Sequence, residues 1–370
     1  MTARPLIRRV RGLRRGGALL AAGALVTAGL AACSSASSTR PGDVLDAVEA
    51  QQKADAAVAA PPAAAAAAAA PASCSPKPNV SYDPLGSVPS TLPAGSLEAT
   101  IRNRGSLVVG VAGDTRLLGA RDRLTEAAPK GFDIEIAKAL GRAIFGSDGH
   151  VTFKVITAGQ RFPQVNAGAD KQGVDVVARA VSMTCDRWAA TDPAKGSAFS
   201  AAYLSSDQRF LVRKGVPQIN SVDDLVAQKR ATDPSAQVKI CAPVGSTSLA
   251  KITGWRPEVT PVAVAIHSDC LALWQEGRVD AITGDDVILA GFKDQDPTAV
   301  ILGGQALDNT PYGLAISKAH PEFVQYVNAV MATSQFRQDW QRAYDTYLAP
   351  ALGDAAKKSF PPPTYGRPLP

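Results

Sequence analysis

Three polar side chains follow one apolar segment and could together bind a carboxylate. Residues 174–181 consist mainly of valine and alanine, which predicts a buried strand, and Ser182, Thr184 and Arg187 come directly after it. A guanidinium is a planar fork of donors that matches a carboxylate, and hydroxyl groups can serve the remaining lone pairs. We therefore expect an anion-binding group at the carboxyl end of this strand, where open parallel sheets bind ligands. A surface arginine after a core strand is the alternative.

A second predicted strand ends in a similar way. The segment 238–242 leads into Gly245-Ser246-Thr247-Ser248. A glycine followed by hydroxyl residues, between a strand and a helix, exposes backbone amides that suit an anionic group. A simple helix cap would use the same residues, so both interpretations stay open.

The apolar patterns around these groups alternate between strands and helices. Predicted strands cover residues 106–111, 151–156, 174–181, 210–212, 238–242, 277–282, 300–302 and 312–316. Predicted helices cover residues 131–140, 162–169, 221–228, 268–276, 321–334 and 336–348. This alternation predicts an α/β fold with a parallel sheet that helices cover on both faces.

The formal net charge of +6 does not indicate a nucleic-acid partner. Six arginines within the first fifteen residues account for all of it. The rest of the chain is therefore close to neutral, and a basic surface that binds phosphates is not expected there.

The first 32 residues have the three parts of an export signal. Six arginines precede an apolar run from Ala18 to Ala32, and the run ends in Leu30-Ala31-Ala32-Cys33. This ending resembles the lipobox of bacterial lipoproteins, which implies cleavage before Cys33 and diacylation of its thiol. We therefore predict a lipoprotein anchored on the outer face of the cytoplasmic membrane. A retained anchor is the alternative, but about 15 apolar residues fall short of the roughly 20 that span a bilayer.

Low-complexity sequence flanks the predicted globular part on both sides. Residues 33–96 contain Pro61-Pro62, a run of eight alanines and Pro71, and such a composition cannot bury a core. We expect them to form a lipidated tether. Residues 351–370 form a proline-rich C-terminal tail, which we expect to be loose from residue 360 onward.

From about residue 107 to residue 347, the chain resembles the polar amino-acid binding proteins of ABC importers, bacterial solute-binding protein family 3. Nine short motifs occur in the family's order: Val108-Val-Gly-Val111, Gly131-Phe-Asp-Ile-Glu-Ile-Ala-Lys138, Val174-Asp-Val176, Thr184-x-x-Arg187, Phe199-Ser-x-x-Tyr203, Gly245-Ser-Thr-Ser248, Gly277-Arg-Val-Asp-Ala281, Asp285 and Pro311-Tyr-Gly313. Each motif is short, but their common order is specific. The tether, Met183-Thr-Cys-Asp-Arg187 and Asp285-Asp286 look most like the glutamate- or glutamine-type lipoproteins of actinobacteria.

The resemblance implies a two-lobed fold like that of the periplasmic binding proteins, in which each lobe is a parallel-type sheet flanked by helices. We assign residues 97–204 and 312–350 to lobe 1, and residues 205–311 to lobe 2. Two hinge crossings, near residues 204–208 and 308–312, then join the lobes, and the ligand is enclosed between them.

The resemblance also implies a role for each matching residue. Arg187 would take the α-carboxylate of a free amino acid, and Asp285 of lobe 2 would take its α-ammonium group. The further carboxylate ligands would be Thr184, Ser182 and the backbone amides of Ser246 and Thr247. The zwitterion would stabilise the closed form, because ligand-driven closure requires contacts that differ between the two states. The alternative for Asp285 is a solvated turn carboxylate.

Extra cations near the cleft favour an acidic ligand. Many relatives hold the ligand side chain with aromatic residues in a loop that is here Asp114-Thr-Arg-Leu-Leu118, which contains none. Arg116 in this loop adds positive charge, as do Arg121 and Arg161. We therefore predict glutamate or aspartate ahead of glutamine or asparagine, although each arginine alone could be a surface residue.

Four cysteines remain besides Cys33, and four thiols in an exported protein favour two disulfides. Three pairings are possible. A bridge between the lobes would block hinge motion, so we prefer Cys241 with Cys270 in lobe 2 and Cys74 with Cys185. A metal site is not predicted, since no Cys-x-x-Cys occurs and the three histidines are scattered.

These observations predict a binding protein without a cofactor, and not an enzyme. The sequence contains no Gly-x-Ser-x-Gly motif and no Walker loop. The expected partners of the monomeric chain are the free amino acid, a permease–ATPase complex, and the membrane through the lipid. A sensor lipoprotein that docks on a membrane receptor is the first alternative, and a cleft enzyme of the dehydratase type is a less favoured one.

Overall fold

The computed structural model describes residues 74–121, 128–215, 218–304 and 306–370. The predicted signal peptide at 1–32, the predicted lipidation site Cys33 and the tether up to residue 73 lie outside these ranges and stay predictions. Within the four described ranges, no helix combines the length and apolar character needed to cross a membrane.

Eleven strands occur in this part of the chain. They are β1 (Leu107–Val111), β2 (Asp114–Thr115), β3 (Gly119–Ala120), β4 (Val151–Val155), β5 (Val176–Val177), β6 (Ala198–Arg213), β7 (Val238–Pro243), β8 (Val259–Val264), β9 (Ala281–Asp285), β10 (Ala299–Ile301) and β11 (Asp308–Ile316).

Helices connect most of these strands and cover the sheet. They are α1 (Leu97–Arg104), α2 (Phe132–Phe145), α3 (Arg161–Ala167), α4 (Cys185–Ala189), α5 (Val222–Arg230), α6 (Thr247–Ile252), α7 (His267–Gln275), α8 (Asp286–Gln295), α9 (Pro321–Ala332), α10 (Ser334–Ala343) and α11 (Ala349–Leu352). A π-helical turn, Tyr344–Leu348, connects α10 to α11.

Glycines fix both ends of α2. Gly131 precedes the helix with φ of 140°, and a Cβ there would lie 2.3 Å from the carbonyl oxygen of Leu118, so only glycine fits. Gly146 ends the helix in the left-handed conformation, with φ of 77°. Between these glycines, Phe132 and Leu140 are buried, so one face of α2 packs on the core as predicted from the spacing of its apolar residues.

The longer strands form one mixed sheet. Their order is β4-β1-β5-β11-β6-β9-β7-β8, and β10 pairs with β6. Strand β1 is parallel to β4 and β5, and β7 is parallel to β8 and β9. Between these two parallel groups, β6 and β11 run antiparallel to each other. The predicted α/β fold with helix-flanked, parallel-type sheets is therefore confirmed.

Strands β6 and β11 form a ribbon that joins the two parallel groups. Near one end of the ribbon, Ala315 of β11 pairs with β5. Farther along, Gln208 of β6 pairs with Asp285 at the end of β9. The predicted crossings at 204–208 and 308–312 lie within this ribbon, and the exact lobe boundaries stay a prediction.

Strand β5 is shorter than the predicted strand at residues 174–181. Ala180 has φ of 44°, in the left-handed region, so the chain leaves the extended conformation before that residue. After this turn, Ser182 forms a single β-bridge with Tyr312 of β11. The polar residues that follow β5 therefore lie beside the central ribbon.

Residues 74–96 pack on lobe 1, which corrects the predicted end of the tether at residue 96. Ser81 is fully buried, and its Oγ donates to the carbonyl oxygen of Phe199 at 2.7 Å. The ring of Tyr82 lies edge-on to that of Trp188, with 5.7 Å between centroids. Composition could not indicate these contacts, because they join residues far apart in the chain.

The C-terminal residues also pack on the body, which corrects the prediction of a loose tail. Phe360 lies edge-on to Trp340, with 5.7 Å between ring centroids. The Arg367 guanidinium is 3.9 Å from the ring centroid of Trp188, and its Nε donates to the carbonyl oxygen of Val80 at 2.8 Å. These contacts could not be predicted from the sequence, because the proline-rich segment has neither helical nor strand periodicity.

Candidate ligand-binding site

A small cavity lies between lobe 1 and lobe 2, and its volume is about 30 Å³. Five of the predicted ligand-binding residues line it, namely Arg161, Ser182, Ser246, Thr247 and Asp285. Residues of both lobes therefore share one cavity wall, but Arg187, the predicted ligand of the α-carboxylate, is not part of it.

Two buried guanidiniums meet at one backbone carbonyl of lobe 2. Arg161 begins α3 and donates to the carbonyl oxygen of Gly245 at 2.8 Å, besides two carbonyl oxygens of lobe 1. Arg187 lies in α4 and donates to the carbonyl oxygens of Ser182 at 2.6 Å and Gly245 at 3.3 Å. Because all these acceptors are neutral, none of these bonds compensates the positive charges.

Burial disfavours the charged form of both side chains. It lowers the pKa of Arg187 to about 10. It also lowers the pKa of Arg161 well below its ordinary value, and repulsion from Arg187 and Arg179 adds to this effect. An anion beside the two guanidiniums would therefore be stabilised by an electric field that little water screens.

Ser182 and Thr184 have different positions. Ser182 Oγ lies 3.3 Å from Thr247 Oγ1, so these hydroxyl groups form a hydrogen bond between the lobes. Thr184 is the N-cap of α4, where its Oγ1 accepts from the Arg187 amide at 3.3 Å. Thr184 therefore positions the helix that carries Arg187, and its side chain is not part of the cavity wall.

The turn after β7 reaches lobe 1 directly. Gly245 has φ of 76°, and a Cβ there would lie 2.8 Å from Gly159 Cα, so the turn requires glycine. Ser246 caps α6, and its Oγ accepts from the Leu249 amide at 3.0 Å. The Ser246 amide itself donates to the carbonyl oxygen of Pro243 at 3.2 Å. This amide is already used within the turn, in contrast to its expected role as a ligand donor.

Asp285 ends β9 with one carboxylate oxygen unpaired. The Tyr312 hydroxyl donates to Oδ2, whereas Oδ1 is buried without a hydrogen-bond partner among the described residues. Burial raises the pKa of Asp285 to about 6, although the Tyr312 bond and the guanidiniums of Arg161 and Arg187 act in the opposite direction. A cationic donor at Oδ1 would therefore stabilise the ionised carboxylate.

Arg179 was not predicted from the sequence, and this buried residue also lines the cavity. Its Nε donates to the carbonyl oxygen of Ile156 at 2.7 Å, and its Nη2 lies 3.5 Å from Asp114 Oδ1. Burial lowers the pKa of Arg179, while Asp114 and Asp133 oppose the shift. One cation within the apolar segment 174–181 was the signal that could have identified it.

Asp133 is a second buried charge that the sequence analysis did not assign. Its Oδ1 accepts from the Tyr203 hydroxyl at 2.8 Å, and its Oδ2 accepts from the Ala180 amide at 2.9 Å. Burial raises the pKa of Asp133 to about 6. An acidic residue among the apolar positions at the start of α2 was the corresponding signal.

His267 begins α7 and packs against Gly284. A Cβ at Gly284 would lie 3.1 Å from the imidazole, and the ring lies edge-on to Phe292 with 5.4 Å between centroids. Burial lowers the pKa of His267 to about 4, so the ring is neutral at pH 7. Nothing in the sequence pointed to this residue, because no matching motif contains it.

Arg116 does not line the cavity, which corrects its predicted role. Its guanidinium is exposed and forms an ion pair with Asp294 of lobe 2. A Cβ at Gly291 of α8 would lie 2.6 Å from the carbonyl oxygen of Arg116, so the glycine lets this backbone approach α8. Arg121 lines a separate surface pocket.

The structure contains two disulfides, Cys74–Cys185 and Cys241–Cys270. These are the pairs that the sequence analysis preferred. The first joins the N-terminal segment to α4, which carries Arg187, and the second joins β7 to α7. Within the part of the chain that the structure describes, no group of three or more histidine, cysteine or acidic side chains could hold a metal ion.

Comparison with known proteins agrees with this architecture. Residues 107–350 match the family described as bacterial extracellular solute-binding proteins, family 3. A glutamine-binding protein of Geobacillus stearothermophilus is 31% identical over 249 residues, which cover 67% of this chain and 86% of that protein. A glutamate-binding protein of Corynebacterium efficiens is 25% identical over 267 residues, which cover 70% and 82%.

A solved structure supports the fold assignment. The solute receptor for L-cysteine of Neisseria gonorrhoeae is similar with a TM-score of 0.60 at 24% identity, over 70% of this chain and 96% of that one. The predicted fold of the periplasmic-binding-protein type is thereby confirmed. The matched family consists of solute-binding proteins, in agreement with the prediction that the chain is not an enzyme. This chain belongs to the family 3 bacterial extracellular solute-binding proteins.

Proposed function

We propose that this chain binds a free polar α-amino acid outside the cell and delivers it to an ABC importer. One observation carries the proposal. Asp285 Oδ1 is buried without a partner among the described residues, while Arg161 and Arg187 donate to neutral carbonyl oxygens. The ammonium and carboxylate of an amino acid supply the charges that these groups lack.

Ligand binding would favour closure of the two lobes. Arg187 and Asp285 lie in different lobes, so the two ends of one zwitterion link them. The Ser182–Thr247 hydroxyl pair spans the same gap. Because residues of both lobes line the cavity, we expect the lobes to separate before the ligand enters.

For the ligand side chain, we infer an acidic amino acid, glutamate or aspartate. Arg116 and Arg121 no longer support this inference, but Arg179 and Arg161 line the cavity. Glutamine or asparagine is the second candidate, because Arg179 already shares its charge with Asp114 at 3.5 Å. The glutamine-binding and glutamate-binding relatives are consistent with this pair of candidates.

The proposal extends to the anchor and to the partner. A lipid on Cys33 and the tether that follows it would hold the binding lobes near the membrane, where the importer resides. A membrane sensor remains the alternative partner. Radioactive palmitate should label the chain in cells, and Cys33→Ser should abolish the label.

Calorimetry on the full chain in detergent, with each of the twenty amino acids, tests the ligand class. We expect glutamate and aspartate to bind. Arg187→Met and Asp285→Asn should each weaken binding about 30-fold or more, because truncating one member of a buried charge pair costs about 2–5 kcal/mol. Arg278→Gln, which removes an exposed arginine paired with Glu276 of the same lobe, is the matched control and should bind like the parent. The proposal fails if no amino acid binds or if both site variants retain the parent affinity.

A further inference from the structure

His267 lines the cavity and has a buried ring nitrogen that is unpaired among the described residues. Its side chain lines the cavity together with Arg179 and Asp285. The residue is 5% exposed, and Nε2 is buried without a hydrogen-bond partner among the described residues. The proposed function uses the other unpaired atom of this wall, Asp285 Oδ1, and leaves His267 Nε2 without a role.

The surroundings of the ring determine which nitrogen carries the proton. The backbone of Thr283 favours the protonated ring, which indicates that its carbonyl oxygen faces a ring N–H. Because Nε2 has no partner in the described chain, we assign this N–H to Nδ1. A neutral imidazole with its proton on Nδ1 carries a lone pair on Nε2. A residue of the cavity wall therefore contains a buried hydrogen-bond acceptor without a partner in the described chain.

Several charged groups surround the ring. They are the Asp114–Arg179 ion pair, Arg161, Asp133 and Asp285. Burial is the largest influence on His267 and favours the neutral ring, as do the cations of Arg179 and Arg161. Asp114 favours the protonated ring. A further anion in the cavity would act in the same direction as Asp114.

The two candidate side chains interact differently with this nitrogen. A carboxamide can donate its N–H to Nε2 and accept from Arg179 through its oxygen. A carboxylate offers only acceptors, so its oxygen repels the lone pair of Nε2. A proton on Nε2 converts this repulsion into a charge-assisted hydrogen bond.

We propose that His267 distinguishes the ends of ligand side chains: a carboxamide binds to the neutral ring, and a carboxylate binds together with one proton taken from the solvent. The proton moves to Nε2, while Nδ1 keeps its bond to Thr283. This inference rests on the proposed function, because it requires that the α-groups of the amino acid lie at Arg187 and Asp285. The preference for an acidic ligand then increases as the pH falls.

Calorimetry of the full chain at pH 7, in two buffers of different ionisation enthalpy, counts the protons bound with each ligand. The α-groups of glutamate and glutamine are the same, so their contribution cancels in the difference. We expect glutamate to take up about one proton more than glutamine. In His267→Asn the difference should disappear. His320→Asn, which removes a partly exposed histidine paired with Glu322, should keep it.

The pH dependence of affinity gives a second measurement. Between pH 7 and pH 6, the ratio of glutamate to glutamine affinity should rise about tenfold, as expected when one proton accompanies only one of the ligands. The ratio should be flat in His267→Asn. If glutamine binds too weakly to measure, the proton count for glutamate in the parent and in His267→Asn decides the question.

Three results would overturn the inference. The first is equal proton uptake for the two ligands in the parent chain, a result that does not depend on whether any variant folds. The second is a difference that persists in His267→Asn and disappears in Asp133→Asn, which would assign the proton to that carboxyl group. The third is the absence of binding by either ligand, and in that case the proposed function fails as well.

Discussion

Lys358 of the C-terminal segment donates through Nζ to Asp286 Oδ2 at 2.6 Å, beside Asp285 of the candidate site. The Tyr344 hydroxyl accepts from the backbone amide of the same lysine at 2.8 Å. The other oxygen of Asp286 accepts from the Ser206 hydroxyl of β6. The segment that the sequence assigned to a tail thus supports the start of α8, next to the proposed ammonium site.

Replacement of this lysine should destabilise the protein. Lys358→Gln leaves the buried Asp286 carboxylate without its cation, so we expect the free energy of unfolding to fall by about 1–3 kcal/mol. Lys357→Gln changes an exposed neighbour and should stay within about 0.5 kcal/mol of the parent. Urea denaturation followed by tryptophan fluorescence measures both variants. Equal stabilities would show that the Lys358 ion pair contributes nothing.

Loss of Arg179 should reduce glutamate binding more than glutamine binding. Arg179→Met removes a buried cation and leaves Asp114 to repel an acidic side chain. We expect the ratio of glutamate to glutamine affinity to fall about tenfold or more, which corresponds to about 1.4 kcal/mol. Calorimetry with both ligands measures the ratio, and Arg278→Met is the matched surface control. The double variant Asp114→Asn with Arg179→Met avoids a partly buried carboxylate that has lost its cation and should show the same direction of change.

The two disulfides should contribute unequally to stability. Their cysteines are 111 and 29 residues apart. Replacement of either pair by serine should cost about 2–5 kcal/mol, and loss of Cys74–Cys185 should cost about 1 kcal/mol more than loss of Cys241–Cys270, because it releases the longer loop. Urea denaturation measures both losses. Hydrogen exchange near residues 74–85 should accelerate only without the Cys74–Cys185 bridge, and unchanged exchange there would contradict its anchoring role.

Asp285 should lower the free energy of unfolding of the ligand-free protein by an amount that depends on pH. The pKa of Asp285 in the folded chain is about 6, against an ordinary value of 3.8. Between pH 3.8 and pH 6, the folded chain therefore binds more protons than the unfolded chain. The stability of the folded chain then falls as the pH rises. Asp285→Asn removes this cost. Its stability relative to the parent should therefore increase between about pH 4 and pH 6, by about 3 kcal/mol at most.

Comparison with the variant is needed because other groups titrate in the same range. Asp133 acts in the same direction as Asp285, and His267, whose pKa is lowered to about 4, acts in the opposite direction. These contributions cancel when parent and variant are compared at each pH by chemical denaturation. A constant stability difference across this range would mean that Asp285 is not buried as the structure has it.

Local patterns predicted most of the sheet, because the apolar periodicity of a strand or helix is written in neighbouring residues. Strand β1 and helix α2 begin within one residue of their predicted starts. Sequence patterns did not predict a strand that is buried on both faces, because apolar and polar residues do not alternate along it. Strand β6 continues from Ala198 to Arg213, and its first seven residues are all buried, so only the part at 210–212 was predicted. Helix α8 was not predicted at all.

The candidate site also contains both residues that the sequence could indicate and residues that it could not. Asp285 and Arg187 stand next to strand ends within recognisable motifs, so the sequence alone could propose them. Arg179 and His267 lie at the cavity because distant segments pack together, and neither has a motif of its own. Arg116 was instead predicted as a ligand residue and lies outside the cavity. Its charge could be read from the sequence, whereas the packing of its backbone against α8 could not.

Both ends of the described chain are fixed to the same helix of lobe 1. Cys74 is bonded to α4 by its disulfide, and Arg367 stacks on Trp188 of that helix. Fluorescent proteins fused directly to residue 74 and to residue 370 would therefore keep a nearly constant separation during closure, so their energy transfer would not change. A working biosensor needs one fluorophore within lobe 2, for example in the exposed turn at residues 232–235 between α5 and β7.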